Sequence, residues 1–174
     1  MAISDTVKSA AQKLLNIAHI TQAPINVEAL AGHIGVIVSY EPFKEELSGV
    51  LVKEKDRTVI GVNSSHAKTR QRFTIAHELG HLQLNHQGEI FVDQTVMKRD
   101  GRSSQAIDRQ EIDANRFAAE LLMPELLVLD AIHQLESNSN YSTVMLIEEL
   151  ANKFQVSPQA MEYRLTNLGI FMPR

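Results

Sequence analysis

Two histidines four residues apart, His77 and His81, with Glu78 beside the first, are the residues of this chain best spaced to do chemistry. In a helix, positions four apart lie about 40° apart around the axis and ~6 Å apart along it, so both imidazoles project from one face as a chelate. Glu78 is turned from His77 by about 100°, which keeps its carboxylate off a metal held by the histidines and near an adjacent water. A His-Glu-x-x-His motif of this kind points to a zinc peptidase site. Residue frequencies alone produce it in on the order of one chain per hundred of this length, so its surroundings have to decide. At helical spacing Phe73, His77, Gly80, His81 and Leu84 share one face, and Ile75, Leu79 and Leu82 another. The helix is therefore expected to be buried on two sides. Either histidine alone would suit a hydrogen-bonded core residue, but the pair with Glu78 fits a metal site better.

A catalytic zinc site needs a third protein ligand and an open position. The chain has no cysteine, so that ligand must be a histidine or a carboxylate. A third histidine in the metzincin pattern requires a glycine at position 84 and a histidine at position 87, where this chain has Leu84 and Gln87. His86 is one residue out of register and is expected to be a helix-end residue or a wall of the cleft. A second long helix, expected over residues 104–123, is the better source. Glu111 shares a stripe there with Ile107, Ala114, Asn115, Ala118 and Leu122. A carboxylate among apolar neighbours needs a cation. Asp113 points about 200° away, with Arg109 and Arg116 spaced for a solvated ion-pair face, and is the alternative ligand. The expected site is thus one zinc ion, with manganese as the other candidate, held by His77, His81 and Glu111, with Glu78 as the catalytic base. Asn115 is placed either to orient a ligand histidine or to make an ordinary helix-to-helix hydrogen bond. His86, Tyr141 and Tyr163 are candidates by type only for stabilising an oxyanion.

The elements that position these residues are legible in outline. Val7, Ala10, Ala11, Leu14, Leu15 and Ala18 form the stripe of a first helix, capped by Ser4 and running to about residue 20. Asn26 caps a short helix over 27–34, which Gly35 can end in a left-handed conformation. Strands follow over 36–40, 49–52 and 58–62, the last two flanking a polar turn as a hairpin. The long helix over 64–84 then leads into a polar loop around 88–103. Beyond Pro124 the pattern is all helical with a polar break at 136–141, and Ser157-Pro158 opens the last helix. Helices over 144–154 and 158–168 have helix-turn-helix spacing, but Arg164 is the one basic residue in 158–165 and Glu162 is acidic. That is poor material for phosphate contacts. Met161, Leu165 and Leu168 instead suit packing on the catalytic unit or recognition of a protein substrate.

A chain of 174 residues suits one compact domain with a short appendage, and 44% hydrophobic with 22% charged residues is a globular composition. The net charge of -4 argues against nucleic acid as a partner. The N-terminal residues hold no signal-peptide core, and the most apolar run, 121–132, is broken by Pro124, Glu125 and Asp130. A cytoplasmic protein with no membrane span is expected.

Two segments carry a closer resemblance: Arg72-Phe73-Thr74-Ile75-Ala76-His77-Glu78-Leu79-Gly80-His81-Leu82, and the run from Glu111-Ile112-Asp113-Ala114-Asn115-Arg116-Phe117 to Met123-Pro124. With the C-terminal Leu150-Ala151-x-x-Phe154-x-Val156-Ser157, they resemble the ImmA/IrrE metallopeptidases. The resemblance implies a gluzincin-like fold and zinc ligation by His77, His81 and Glu111, with the catalytic role on Glu78. It also implies a protein substrate, a helix-turn-helix repressor whose cleavage derepresses genes of a mobile element or a stress response. Asp113 stands where the family often has glutamate. The expected fold is therefore α+β: a small three-stranded antiparallel or mixed sheet packed on a mostly helical zincin-like domain (1–134), with a helix-turn-helix-like appendage (135–174) packed on it. The rival functions are a non-cleaving protein-binding regulator of a repressor and a DNA-binding regulator using the C-terminal helices.

Overall fold

The computed structural model describes residues 3–86, 90–94, 104–136 and 142–170. Helix α1 (Ile3–Ile17) turns its Val7, Ala11, Leu14 and Leu15 into the core, as its stripe predicts, and packs on α4. It begins at Ile3, so Ser4 lies inside the first turn and not before it. Helix α2 (Val27–His33) is capped by Asn26, whose Oδ1 accepts a hydrogen bond from the Ala29 amide at 2.9 Å. Gly35, at φ +76°, turns the chain directly into β1 (Val36–Glu41). A left-handed φ is open to glycine without steric cost, so the helix can end and the strand begin within two residues.

β2 (Leu47–Lys53) and β3 (Thr58–Asn63) form the expected antiparallel hairpin, and β1 lies parallel to β3. These three expected strands are joined by β4 (Ile90–Gln94), antiparallel to β2, which gives a mixed sheet in the order β1-β3-β2-β4. The extra strand falls inside the stretch read from sequence as a polar loop; its ladder is supplied by β2, a partner that local pattern does not reveal. The remainder of 88–103 lies outside the described residues, as does 137–141. On one sheet face Leu51 and Ile60 stand opposite each other across β2 and β3, both fully buried.

Helix α3 (Lys68–Gln83) lies against β2 and β3 on one side and against α4 (Ser104–Leu122) on the other. Every residue from Thr74 to His81 is buried. The helix therefore has no solvated stripe along that stretch, which is how it can carry two histidines and a glutamate into the interior. Gly49 of β2 makes the approach possible: a Cβ built there would lie 2.3 Å from Thr74 Cγ2 and 3.4 Å from Glu78 Oε1.

Pro124 separates α4 from α5 (Glu125–Glu136), and α6 (Thr143–Phe154) and α7 (Pro158–Asn167) follow. Ser157 caps α7, accepting from the Ala160 amide, with Pro158 in its first turn. Leu150, Phe154, Met161 and Leu165 are buried in the same core as α1, α3 and α4. Two arginines tie the last helices down. Arg72 of α3 donates to the carbonyls of Gln155 and Phe154 at the C-terminal end of α6, a favourable place for a cation. Arg164 of α7 forms a fork on Glu120 of α4, at 2.7 and 2.6 Å, and its Nε donates to the Met123 carbonyl. No helix among the described residues is long and apolar enough to cross a membrane.

Arg164 is 5% exposed and Glu120 20%, so losing one partner leaves a charge in a poorly solvated place. Arg164→Ala is expected to cost about 3 kcal/mol and lower the melting temperature by roughly 6–12 °C, measured by calorimetry. A change below about 2 °C would contradict the anchoring role.

Candidate metal centre

His77 and His81 sit one turn apart on the buried stretch of α3 with their Nε2 atoms 3.0 Å apart. Glu111 of α4 reaches both: its Oε2 lies 3.1 Å from His77 Nε2 and its Oε1 3.4 Å from His81 Nε2. A tetrahedral ion with bonds of about 2.0–2.1 Å holds its ligand atoms about 3.3–3.4 Å apart. The spacings found are close to that, so the donor set fits a small divalent ion. These residues form the one His, Asp and Glu group among the described residues whose ligand atoms all converge, within 4.8 Å of one another.

The electrostatics follow from the packing. Burial opposes ionisation of Glu111, but hydrogen bonds and electrostatic attraction from His77 and His81 together outweigh it and hold the carboxyl at about 2. It is thus an anion across the neutral range and ready to face a cation. Glu78 is fully buried, one residue along from His77 and beside the bare backbone of Gly49. Asn115 Oδ1 accepts from His77 Nδ1 at 3.0 Å, a bond that orients the ring with Nε2 toward Glu111.

The close approach of α4 to α3 rests on small residues. A Cβ on Gly80 would lie 3.1 Å from both Cα and the carbonyl oxygen of Ala114, and 3.2 Å from Phe117 Cβ. Ala114 and Ala118 are completely buried on the stripe shared with Glu111. The side chain of Ile107 lies outside the described residues.

Asp113 is not in the converging group. It is half-buried on another face of α4, 3.9 Å from Arg116 Nη1, the ion-pair partner its spacing predicts. His86 is neither a ligand in a metzincin register nor a simple helix-end cation: its Nδ1 lies 2.9 Å from His81 Nδ1. Burial, then the neighbouring His81, push it down to about 4, against the pull of Asp113 and Glu111. Tyr163 is 68% exposed on α7, and Tyr141 lies outside the described residues. Sequence reasoning missed Gly49, whose importance lies in a contact with α3 that no local pattern announces.

A cleft of about 1300 Å³ has Phe73, Ile112, Asn115, Arg116, Val156 and Tyr163 among its walls; His77, Glu78, His81 and Glu111 do not line it, and Asn115, bonded to His77, links it to them. It lies between α3, α4 and the C-terminal helices.

A family model for the IrrE N-terminal-like domain, a peptidase family, matches residues 31–166. The chain belongs to the IrrE N-terminal-like metallopeptidases. Within this neighbourhood of relatives, it is 31% identical over 122 residues to the "Uncharacterized immunity region protein 2" of Bacillus phage phi105, covering 70% of this chain and 71% of that one. It is 32% identical over 113 residues to the "Radiation response metalloprotease IrrE" of Deinococcus radiodurans, covering 65% of this chain but 32% of that protein. The "Metallopeptidase ImmA" of Bacillus subtilis is 28% identical over 131 residues, 74% of this chain and 69% of its own. Among solved structures, a "Mycobacterium tuberculosis transcriptional regulator" aligns with a TM-score of 0.62 at 16% identity, over 93% of this chain and 46% of that one. That last likeness is one of fold. The IrrE-like family implies a metal, and the His77, His81 and Glu111 group could bind it.

The helix contact gives a test. Gly80→Ala would push α3 and α4 apart and is expected to destabilise the protein by about 1–3 kcal/mol, as overpacking does, and to weaken metal binding in titrations of the stripped protein. Gly32→Ala, where a Cβ meets nothing within 4 Å, is the control and should leave metal affinity unchanged.

Proposed function

We propose that this protein is a zinc-dependent endopeptidase that cleaves a helix-turn-helix transcriptional repressor in the cytoplasm and so derepresses genes of a mobile element or a stress response. The observation that carries the catalytic part is the convergence of His77, His81 and Glu111 beside the buried Glu78. The repressor substrate is what the family resemblance implies. It is supported by the names of two relatives, which speak of a phage immunity region and of a radiation response.

In this reading His77, His81 and Glu111 are the ligands, and zinc suits their chemistry, with manganese the other candidate for a set containing oxygen. The bound ion would supply Lewis acidity toward a water and the scissile carbonyl. Glu78 takes the proton of the attacking water and delivers it to the leaving nitrogen. Its place one residue after His77 holds the carboxylate near the ligands without making it one of them. Asn115 keeps the His77 ring in the orientation that aims Nε2 at the centre.

Residues 1–134 form the catalytic unit in this reading, and 135–174 the appendage that offers substrate a wall of the cleft. The exposed Tyr163 and Ile112 supply apolar surface there. Arg164, the basic residue a DNA-reading α7 would have used, is buried on Glu120, which weighs against that function.

The decisive experiment mixes the zinc-loaded protein with the repressor encoded beside its gene and looks for one defined cut. Glu78→Gln should keep the metal and lose roughly 10²- to 10⁴-fold in rate. A Glu78→Gln protein that still cuts would refute the role of Glu78, and a stable complex without cleavage would favour a binding regulator. Glu111→Ala should lower bound zinc, read by metal analysis; unchanged content would return Asp113 as the ligand.

A further inference from the structure

We infer that His86 is a positioning residue for the metal centre: it accepts a hydrogen bond from His81 Nδ1, and a helix-ending turn built on Asn85 holds it there. The inference rests on the metal reading of His77, His81 and Glu111, and adds a residue that the His-Glu-x-x-His motif does not contain.

The turn comes first. After α3 the amide of Asn85 donates to the Leu82 carbonyl at 3.2 Å, and the amide of His86 to the His81 carbonyl at 3.1 Å. Asn85 lies between them at φ +53°. Paired bonds of this span around a left-handed residue are the Schellman ending, and asparagine is among the few side chains that accept that conformation. The ending brings the residue after the left-handed one back onto the residue five before it, a contact that is usually hydrophobic. Here those two residues are His86 and His81. Their rings meet edge to face, centroids 5.0 Å apart at 71°, with the two Nδ1 atoms 2.9 Å apart. From the sheet, Lys53 Nζ donates to the His86 carbonyl at 3.2 Å and fixes the turn a second time.

The direction of the ring bond follows from His81. Its Nε2 faces His77 and Glu111, so in a metal-binding state that atom presents its lone pair and the ring proton is on Nδ1. His81 Nδ1–H therefore donates to His86 Nδ1, and the proton of His86 is on Nε2. Asn115 does the same for His77 through its Oδ1. Each histidine is thus held from behind by a different acceptor, one from α4 and one from the turn that ends α3. Such outer contacts fix tautomer and ring orientation, and their loss costs about 10–100-fold in metal affinity.

Zinc affinity of the metal-stripped protein, measured by competition with a chromophoric chelator, tests this without using activity. His86→Phe, which fills the space without an acceptor, is expected to bind zinc about 10–100-fold more weakly. His86→Asn should recover most of the loss, because its Oδ1 lies as many bonds from the backbone as the histidine Nδ1. In nitrogen-edited NMR of the zinc-loaded protein, a slowly exchanging His81 Nδ1–H signal should be present in wild type and His86→Asn and absent in His86→Phe. Asn85→Gly should bind as wild type, and Asn85→Val as weakly as His86→Phe. Equal affinity of His86→Phe and wild type would overturn the inference while leaving the metal site standing. A loss that His86→Asn does not recover would overturn it in favour of simple packing. A wild-type protein that binds no zinc would overturn the metal reading itself, and this inference with it.

Discussion

The contact between α3 and α4 at Gly80 and Ala114 sets the geometry on which the rest of the site depends. Histidines on one helix and a carboxylate on another form a ligand set only if their helices stand at the right separation. Metal–ligand distances tolerate about 0.2 Å. A methyl group on Gly80 would meet backbone atoms of Ala114 at 3.1 Å, atoms that cannot rotate away. The absence of one Cβ thus lets α4 lie close enough for Glu111 to reach His77 and His81 without displacing Ala114 by the few tenths of an ångström a methyl group would demand. Gly49 does the same on the other side of α3, where it lets the helix settle on β2 with Glu78 against the strand.

The helix caught between these two surfaces is unusual in what it buries. Thr74, His77, Glu78 and His81 are all at most 3% exposed. Taking a carboxylate and two imidazoles out of water is unfavourable unless each finds partners. Glu111 and Asn115 from α4, and His86 from the turn beyond α3, supply several of them. Stability and chemistry are coupled here, because the polar atoms that make α3 costly to bury are the ones that converge on one point.

The C-terminal helices belong to the same core, through Leu150, Phe154, Met161 and Leu165. Their two arginine anchors act at different places: Arg72 grips the end of α6 from α3, the helix that carries both histidines, and Arg164 grips α4 one turn or so beyond Asn115. The cleft between α3, α4 and the C-terminal helices is therefore walled by elements that these anchors hold in one arrangement.

Much of this was legible in the sequence, for a physical reason. The 3.6-residue period placed His77 and His81 on one face and put Glu111, Ala114 and Ala118 on a common stripe. Asn26, Gly35, Ser157 and Pro158 marked helix ends because capping chemistry is local. What the sequence by itself determined was the set of elements and the donor types each presents. Tertiary structure alone decided which donors meet. β4 exists because β2 offers it a ladder, Arg164 faces Glu120 and not solvent, and His86 folds back on His81 because Asn85 turns left. Each is a contact between residues whose separation in space is set by packing, and packing is fixed only when the whole core closes.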